Sequence, residues 1–328
     1  MIYFFLIILN CLILFFYSLI QKKLDIYDYP SENKIHDKKV PLLGGLIFLV
    51  NIIIYLVFFI FFQNKFSLSI FGFSSNMNDF VFIASIVFLF FLGLIDDKKN
   101  LSASVRLILL IAIVSLNLFL NPELNINYIK LSFLNNFSIE SYSFFWTLIC
   151  FLLFINAFNF FDGINLQSSG LIFAICLFFF IKNVFVEFFI VIMIANILFS
   201  YLNYKSRTFL GNSGSFFLPF LFSGLFISAY NNDASINADE IVILMLIPGI
   251  DLMRLFFLRL LKKISPFQGD RNHIHHLLLK KYPSLIAVGI IQILIWLPFL
   301  VFQIFGIFYI ALFIQLFFYT LLIIKYKN

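Results

Sequence analysis

The side chains able to do chemistry are gathered in five short polar segments of an otherwise apolar chain. They read NKIHDKKVPLLGG (33–45), LGLIDDKKNLSASVR (92–106), NAFNFFDGINLQ (156–167), FLGNSGS (209–215), and a stretch from Asp251 to the HIHH of 273–276. Asp96 and Asp97 are adjacent carboxylates, which repel and raise each other's pKa unless a cation intervenes. A hard divalent cation such as Mg²⁺ takes one or two carboxylates and completes its shell with phosphate oxygens and water. A solvated helix end is the plainer alternative, because Lys98 and Lys99 follow directly. Asn156, Asn159 and Asp162 are spaced i, i+3, i+6 and share one helix face. A central Asp costs about 2.5–3.5 kcal/mol on membrane-insertion scales, so three polar groups on one face imply a cavity or polar partners rather than lipid. For the asparagines, an interhelical hydrogen-bond seam satisfies the pattern as well.

FLGNSGS is a glycine-bearing turn that opens a helix, where backbone N–H groups can cradle phosphate or simply close a tight turn. His273, His275 and His276 do not have the i, i+4 spacing of a helical zinc pair, and no cysteine lies near them. With Arg271 and the loop lysines they read either as a donor-rich cationic patch suited to phosphate oxygens or as a plain solvated loop. Asp251 and Arg254, at i, i+3, are spaced to pair.

The elements that must position these groups are membrane helices. The chain has 328 residues, 62% hydrophobic and 12% charged, about half the charge of an ordinary soluble domain. Cys11, Cys150 and Cys176 lie inside apolar runs without paired spacing, which excludes a disulfide framework. The apolar runs predict an all-α, polytopic bundle of about eleven spans within one transmembrane domain covering 1–328. The spans fall near 1–20, 42–62, 80–95, 107–121, 143–160, 166–182, 184–202, 213–230, 240–258, 285–304 and 307–324. The first has no basic leader and no small-residue cleavage site, so it reads as a retained helix. Threaded alternately, the spans leave only Lys65, Lys130 and Lys182, of 22 Lys and Arg, on one side. The opposite side is then cytoplasmic, with the N-terminus outside and the C-terminus inside. All five polar segments meet at that cytoplasmic face. The net charge of +6 is therefore a matter of topology and needs no nucleic acid to explain it.

Taken together and in this order, the five segments resemble the polyprenyl-phosphate N-acetylhexosamine-1-phosphate transferases, of glycosyltransferase family 4 type. The HIHH with Asp270 and Arg271 before it looks like the bacterial undecaprenyl-phosphate GlcNAc-1-phosphate transferase branch. The resemblance spans roughly 25–280 and rests on Lys34, His36, Pro41, Gly44 and Gly45, on Asp96–Asp97, and on Asn156, Asn159, Asp162 and Gly163. It implies an enzyme of the bacterial inner membrane whose active site faces the cytoplasm. Such an enzyme joins a sugar-1-phosphate from a UDP-sugar, an N-acetylhexosamine by expectation, to undecaprenyl phosphate and releases UMP. This would be the first step of an envelope glycan such as O-antigen, teichoic acid or capsule. Mg²⁺, with Mn²⁺ as a substitute, is implied at Asp97 and Asn212. Asp96 would assist deprotonation of the lipid phosphate. Asp162, Asn156, Asn159 and Asn165 would orient substrate. Arg271, His273, His275 and His276 would hold the diphosphate, with Lys34 and His36 behind them. The expected partners are the UDP-sugar, undecaprenyl phosphate and membrane lipids, and a homodimer is compatible with them.

Two departures stand out. Where the family reads GDxGS this chain reads Gly211-Asn212-Ser213-Gly214-Ser215, and Asn165-Leu166-Gln167 replaces the usual Asp-Gly-Leu. An asparagine oxygen is neutral and binds Mg²⁺ more weakly than a carboxylate. These changes leave open an alternative: an impaired homologue that binds lipid or nucleotide, or serves in an assembly.

Overall fold

Runs that are apolar on every face become helices in a bilayer, because only a helix satisfies its own backbone there. The structure, a computed structural model, describes residues 2–30, 37–62, 71–232, 236–265 and 271–327. In chain order these form α1 (Ile2–Phe15), α2 (Tyr17–Leu24), β1 (Tyr27–Asp28), β2 (Val40–Pro41), α3 (Gly44–Phe62), α4 (Asn76–Lys99) and α5 (Ala103–Leu120). Next come β3 (Tyr128–Leu131), β4 (Leu134–Ser138), α6 (Ser143–Phe161), α7 (Gln167–Ile181), α8 (Val186–Tyr204) and α9 (Gly211–Asn232). The last four are α10 (Ala238–Leu261), α11 (Ile274–Leu279), α12 (Ser284–Phe305) and α13 (Phe308–Lys327). The protein is an all-α, multi-pass membrane bundle.

Two of the eleven expected spans differ in form from a long straight helix. Among the described residues nine helices are long and apolar enough to cross a bilayer, and α1 with α2 makes a tenth if that pair, bent by 67°, counts as one. The expected span 166–182 is the 15-residue α7, about 22 Å long against a hydrocarbon core of about 30 Å. Its run is cut at the front by Leu166, held in a left-handed conformation at φ 68°.

Strand structure, which the sequence did not suggest, occurs at both ends of the bundle. β1 pairs antiparallel with β2, Asp28 opposite Val40, beside the functional cavity. At the opposite end, β3 and β4 form a hairpin pinned by Asp239, which accepts from the Ser132 N–H at 3.0 Å, and by the Tyr230 hydroxyl, which donates to the Tyr128 carbonyl at 2.8 Å.

At the centre stands α9, packed by α3, α4 and α6. Every residue of α9 from Ser213 to Tyr230 is buried. Phe220 meets Phe82 of α4 and Phe151 of α6, each at 5.2 Å between ring centroids. Lipid tails are as apolar as these side chains, so close packing rather than water exclusion holds such helices together.

Candidate active site

The start of α9 is built from backbone contacts that small residues permit. Gly44 and Gly45, opening α3, donate their N–H groups to the carbonyls of Phe209 and Leu210, both at 2.9 Å. On α4 a Cβ at Gly93 would lie 2.3 Å from the Asn212 carbonyl oxygen, so only glycine lets α9 come this close. One turn further along the same face, Asp97 accepts from the backbone N–H groups of Asn212 at 2.7 Å and Ser213 at 3.1 Å. Of the two readings of this helix start, a phosphate cradle or a tight turn, the contacts favour the turn. Two of its N–H groups are occupied by the chain's own carboxylate, a favourable placement at a helix N-terminus.

A cavity of about 570 Å³ opens beside this cap. Its lining includes Asp28, Asp97, Asn159, Asp162, Gly163, Asn165, Asn203, Ser206, Asn212, Ser215 and His276. Three carboxylates face it, and no Lys or Arg is among its described lining residues. The Asn159 amide donates to the Asn212 side-chain oxygen at 3.2 Å and to the Ser215 hydroxyl, tying α6 to α9. Burial pushes the Asp162 carboxyl, just past the end of α6, up to about 6. The turn after it is held by Asn203. Its oxygen accepts from the Leu166 N–H at 2.6 Å, and its amide donates to the Thr208 carbonyl at 2.9 Å. Asn165 donates to the Ser206 hydroxyl at 2.8 Å.

The sequence-derived site residues divide accordingly. Asp97, Asn159, Asp162, Asn165, Asn212 and His276 converge on the cavity. Asp96 does not. Its carboxylate is buried, accepts from the Leu101 N–H at 2.8 Å and pairs with Arg106 at 3.2 Å, so α5 consumes it. Asn156 lies one turn deeper on α6 and donates back to the Leu152 carbonyl at 2.7 Å. The cationic patch also resolves differently from expectation. His273 binds Asp251 through Nδ1 at 2.8 Å and stacks on Phe160. His275 is buried, which holds its pKa well below the ordinary histidine value, and packs against Gly163, where a Cβ would come within 2.2 Å of its Nε2. Arg271 is exposed and is not among the cavity's lining residues. Only His276 of the four reaches the cavity wall. The reason is burial: α11 seats by burying His273 and His275, while Asp251 takes the N–H of Ile274 at its start. Lys34 and His36 lie outside the described residues. The Asp251–Arg254 pair forms as expected, at 2.8 Å.

Sequence reading missed Asp28, Asn203 and Ser206. Asp28 sits eight residues before His36 in the same loop, and Asn203 and Ser206 just precede FLGNSGS. Proximity to those motifs was the available signal. Among the described residues no group of three His, Cys, Asp or Glu side chains is arranged to hold a metal. A cation at this cavity would accordingly depend on ligand oxygens or water for much of its shell. The donors are oxygens, which suits a hard ion.

Fold and cavity define a polytopic helical membrane protein with an acid-lined site at one end of its bundle. The family description "Glycosyl transferase family 4" matches residues 80–230. The chain is 26% identical over 292 residues to the undecaprenyl-phosphate alpha-N-acetylglucosaminyl 1-phosphate transferase of Escherichia coli (strain K12), covering 82% of this chain and 73% of that protein. It is 24% identical over 269 residues to the probable undecaprenyl-phosphate N-acetylglucosaminyl 1-phosphate transferase of Bacillus subtilis (strain 168), covering 78% and 70%. Over residues 80–230, just under half of its length, the chain is thus similar to glycosyl transferase family 4.

Proposed function

We propose that the protein transfers a sugar-1-phosphate from a UDP-sugar, of N-acetylhexosamine type, to undecaprenyl phosphate, releasing UMP at the cytoplasmic face of a bacterial inner membrane. The observation that carries this reading is a cavity, at one end of the bundle, into which α4, α6 and α9 bring Asp97, Asp162, Asn159 and Asn212 together with His276. The names of the relatives point the same way. The concentration of Lys and Arg in the loops on that side supports the orientation.

In the proposed reaction an oxygen of the lipid phosphate attacks the sugar-linked phosphorus, a new P–O bond forms, and the bond to UMP breaks. Such chemistry asks mainly for positioning and neutralisation of charge. The oxygen donor set fits Mg²⁺, which Asp97 and Asn212 would hold with phosphate oxygens and which, when bound, neutralises charge on the diphosphate. Asp162, with its carboxyl raised to about 6, is able to take a proton near neutral pH. Asn159 fixes Asn212, and His276 is placed to donate to phosphate oxygens. Asp96, bound to Arg106, serves to hold α5 against α4 rather than as a base.

The test is UMP release by purified protein with Mg²⁺, undecaprenyl phosphate and a panel of UDP-HexNAc donors. Turnover with at least one donor is expected, and no release with any of them overturns the proposal. A second reading, an impaired lipid- or nucleotide-binding relative, draws on one observation. The neutral Asn212 oxygen is already engaged by the Asn159 amide at 3.2 Å.

A further inference from the structure

The histidine segment is held in place by a helix that does not line the cavity. Asp251, buried on α10, accepts from four partners. Its Oδ1 takes the Arg254 guanidinium at 2.8 Å and the Tyr319 hydroxyl at 2.8 Å, and its Oδ2 faces His273 Nδ1 at 2.8 Å. The Ile274 N–H, first in α11, donates to both oxygens at 3.3 and 3.2 Å. Arg254 completes the ring, donating through Nε to the Tyr319 oxygen at 2.8 Å and through a terminal nitrogen to the Asn272 carbonyl at 2.7 Å. Tyr319 belongs to α13 and is buried. Seven residues later on the same helix, about 10.5 Å along its axis, Tyr326 makes a second polar contact, hydroxyl to hydroxyl with Tyr282 at 2.7 Å. Tyr282 follows the C-terminus of α11, so α13 grips that short helix at both ends.

From His273 the contacts run on toward the cavity. The ring stacks on His275 at 5.5 Å with an interplanar angle of 1°. His275 lies against Gly163 and within 4.2 Å, centroid to centroid, of His276, the member that lines the cavity.

We infer that Tyr319 is a positioning residue: through Asp251 it fixes His273 and the start of α11, and thereby the placement of His276 at the cavity. The inference concerns the site assigned above and rests on that reading for its catalytic consequence, though not for its structural one. α11 has six residues and cannot hold its own register in isolation, since short helices are marginal without tertiary support. The buried hydroxyl of Tyr319 donates to Asp251 while accepting from Arg254, so Tyr319→Phe keeps the ring and removes the hydroxyl that links the two ions.

The test uses the full-length protein in nanodiscs and two readouts. Hydrogen–deuterium exchange without substrate should show peptides covering 272–279 exchanging roughly tenfold faster in Tyr319→Phe, the scale set by one lost hydrogen bond to a charged group. Peptides of α9 should be unchanged. In UMP release the same variant should lose about tenfold in kcat/KM, with KM for the UDP-sugar rising more than kcat falls. That loss should vanish in a His273→Ala background, because both changes break one chain of contacts. Unchanged exchange at 272–279, or losses that add in the double variant, overturns the inference. A wild type that releases no UMP sinks the proposed activity instead, and the exchange result still decides whether Tyr319 positions α11.

Discussion

Replacing Asp97 with asparagine separates its two duties, holding α9 and charging the cavity. The carboxylate now takes two N–H groups, from Asn212 at 2.7 Å and Ser213 at 3.1 Å. Asparagine has one acceptor oxygen, so one of these amides would meet an NH₂ group, donor against donor. A lost hydrogen bond to a charged acceptor costs about 1.5–3 kcal/mol, and removing a negative charge from a helix N-terminus costs about 0.3–2 kcal/mol. The two overlap, which puts the expected loss for Asp97→Asn near 2–4 kcal/mol. Gly93 packs directly on this turn, so α9 has little room to relax. Thermal unfolding in detergent should fall, and exchange at Asn212 and Ser213 should accelerate ahead of the rest of α9. UMP release should drop by about a hundredfold or more, the scale seen when a charge-stabilising group leaves an active site. A variant within about 0.5 kcal/mol of wild type, with unchanged exchange at those two amides, refutes the capping argument whatever happens to activity.

Gly163→Ala should abolish turnover and lower thermal stability by about 1–3 kcal/mol, since the new methyl would sit 2.2 Å from His275 Nε2. A melt and an activity matching wild type would show that His275 can swing away. Asn212→Asp would restore a carboxylate beside Asp97, and an Mg²⁺ titration of UMP release should show half-saturation at lower metal; an unchanged titration removes Asn212 from the metal site. The pH profile should fall below about 6, where Asp162 gains its proton, and Asp162→Asn should change the shape of that limb if it retains measurable turnover. Because folding raises this carboxyl from 3.8 to about 6, its linkage to stability runs the other way. The unfolding free energy declines as pH rises between those values and levels off above them, which melts of wild type and Asp162→Asn across pH 4–7 would compare.

Each long apolar run became a helix because in a bilayer length and hydropathy nearly dictate it. What failed was local: α7 falls short because Leu166, anchored by Asn203 from 37 residues away, starts the helix late. The site was legible as a set of segments but not as a division of labour. Nothing in the pair Asp96–Asp97 tells which faces Arg106 and which caps α9. That is decided by helical phase and by a partner 115 residues distant. Likewise HIHH looks uniformly cationic in sequence, while burial assigns His273 to Asp251 and His275 to the Gly163 backbone. Asp28 went unseen because its place depends on a two-residue strand pairing across a loop.

The enclosure of α9 bears on how the chain enters the membrane. Among the long helices α9 has the least apolar window, and it is the one whose window is wholly sheltered. Its main neighbours α3, α4 and α6 all precede it in the chain. When α9 leaves the ribosome, the walls of its berth have already been synthesised. Its serines, its glycines and Pro219 therefore answer to the shape of a protein slot rather than to the solvency of lipid.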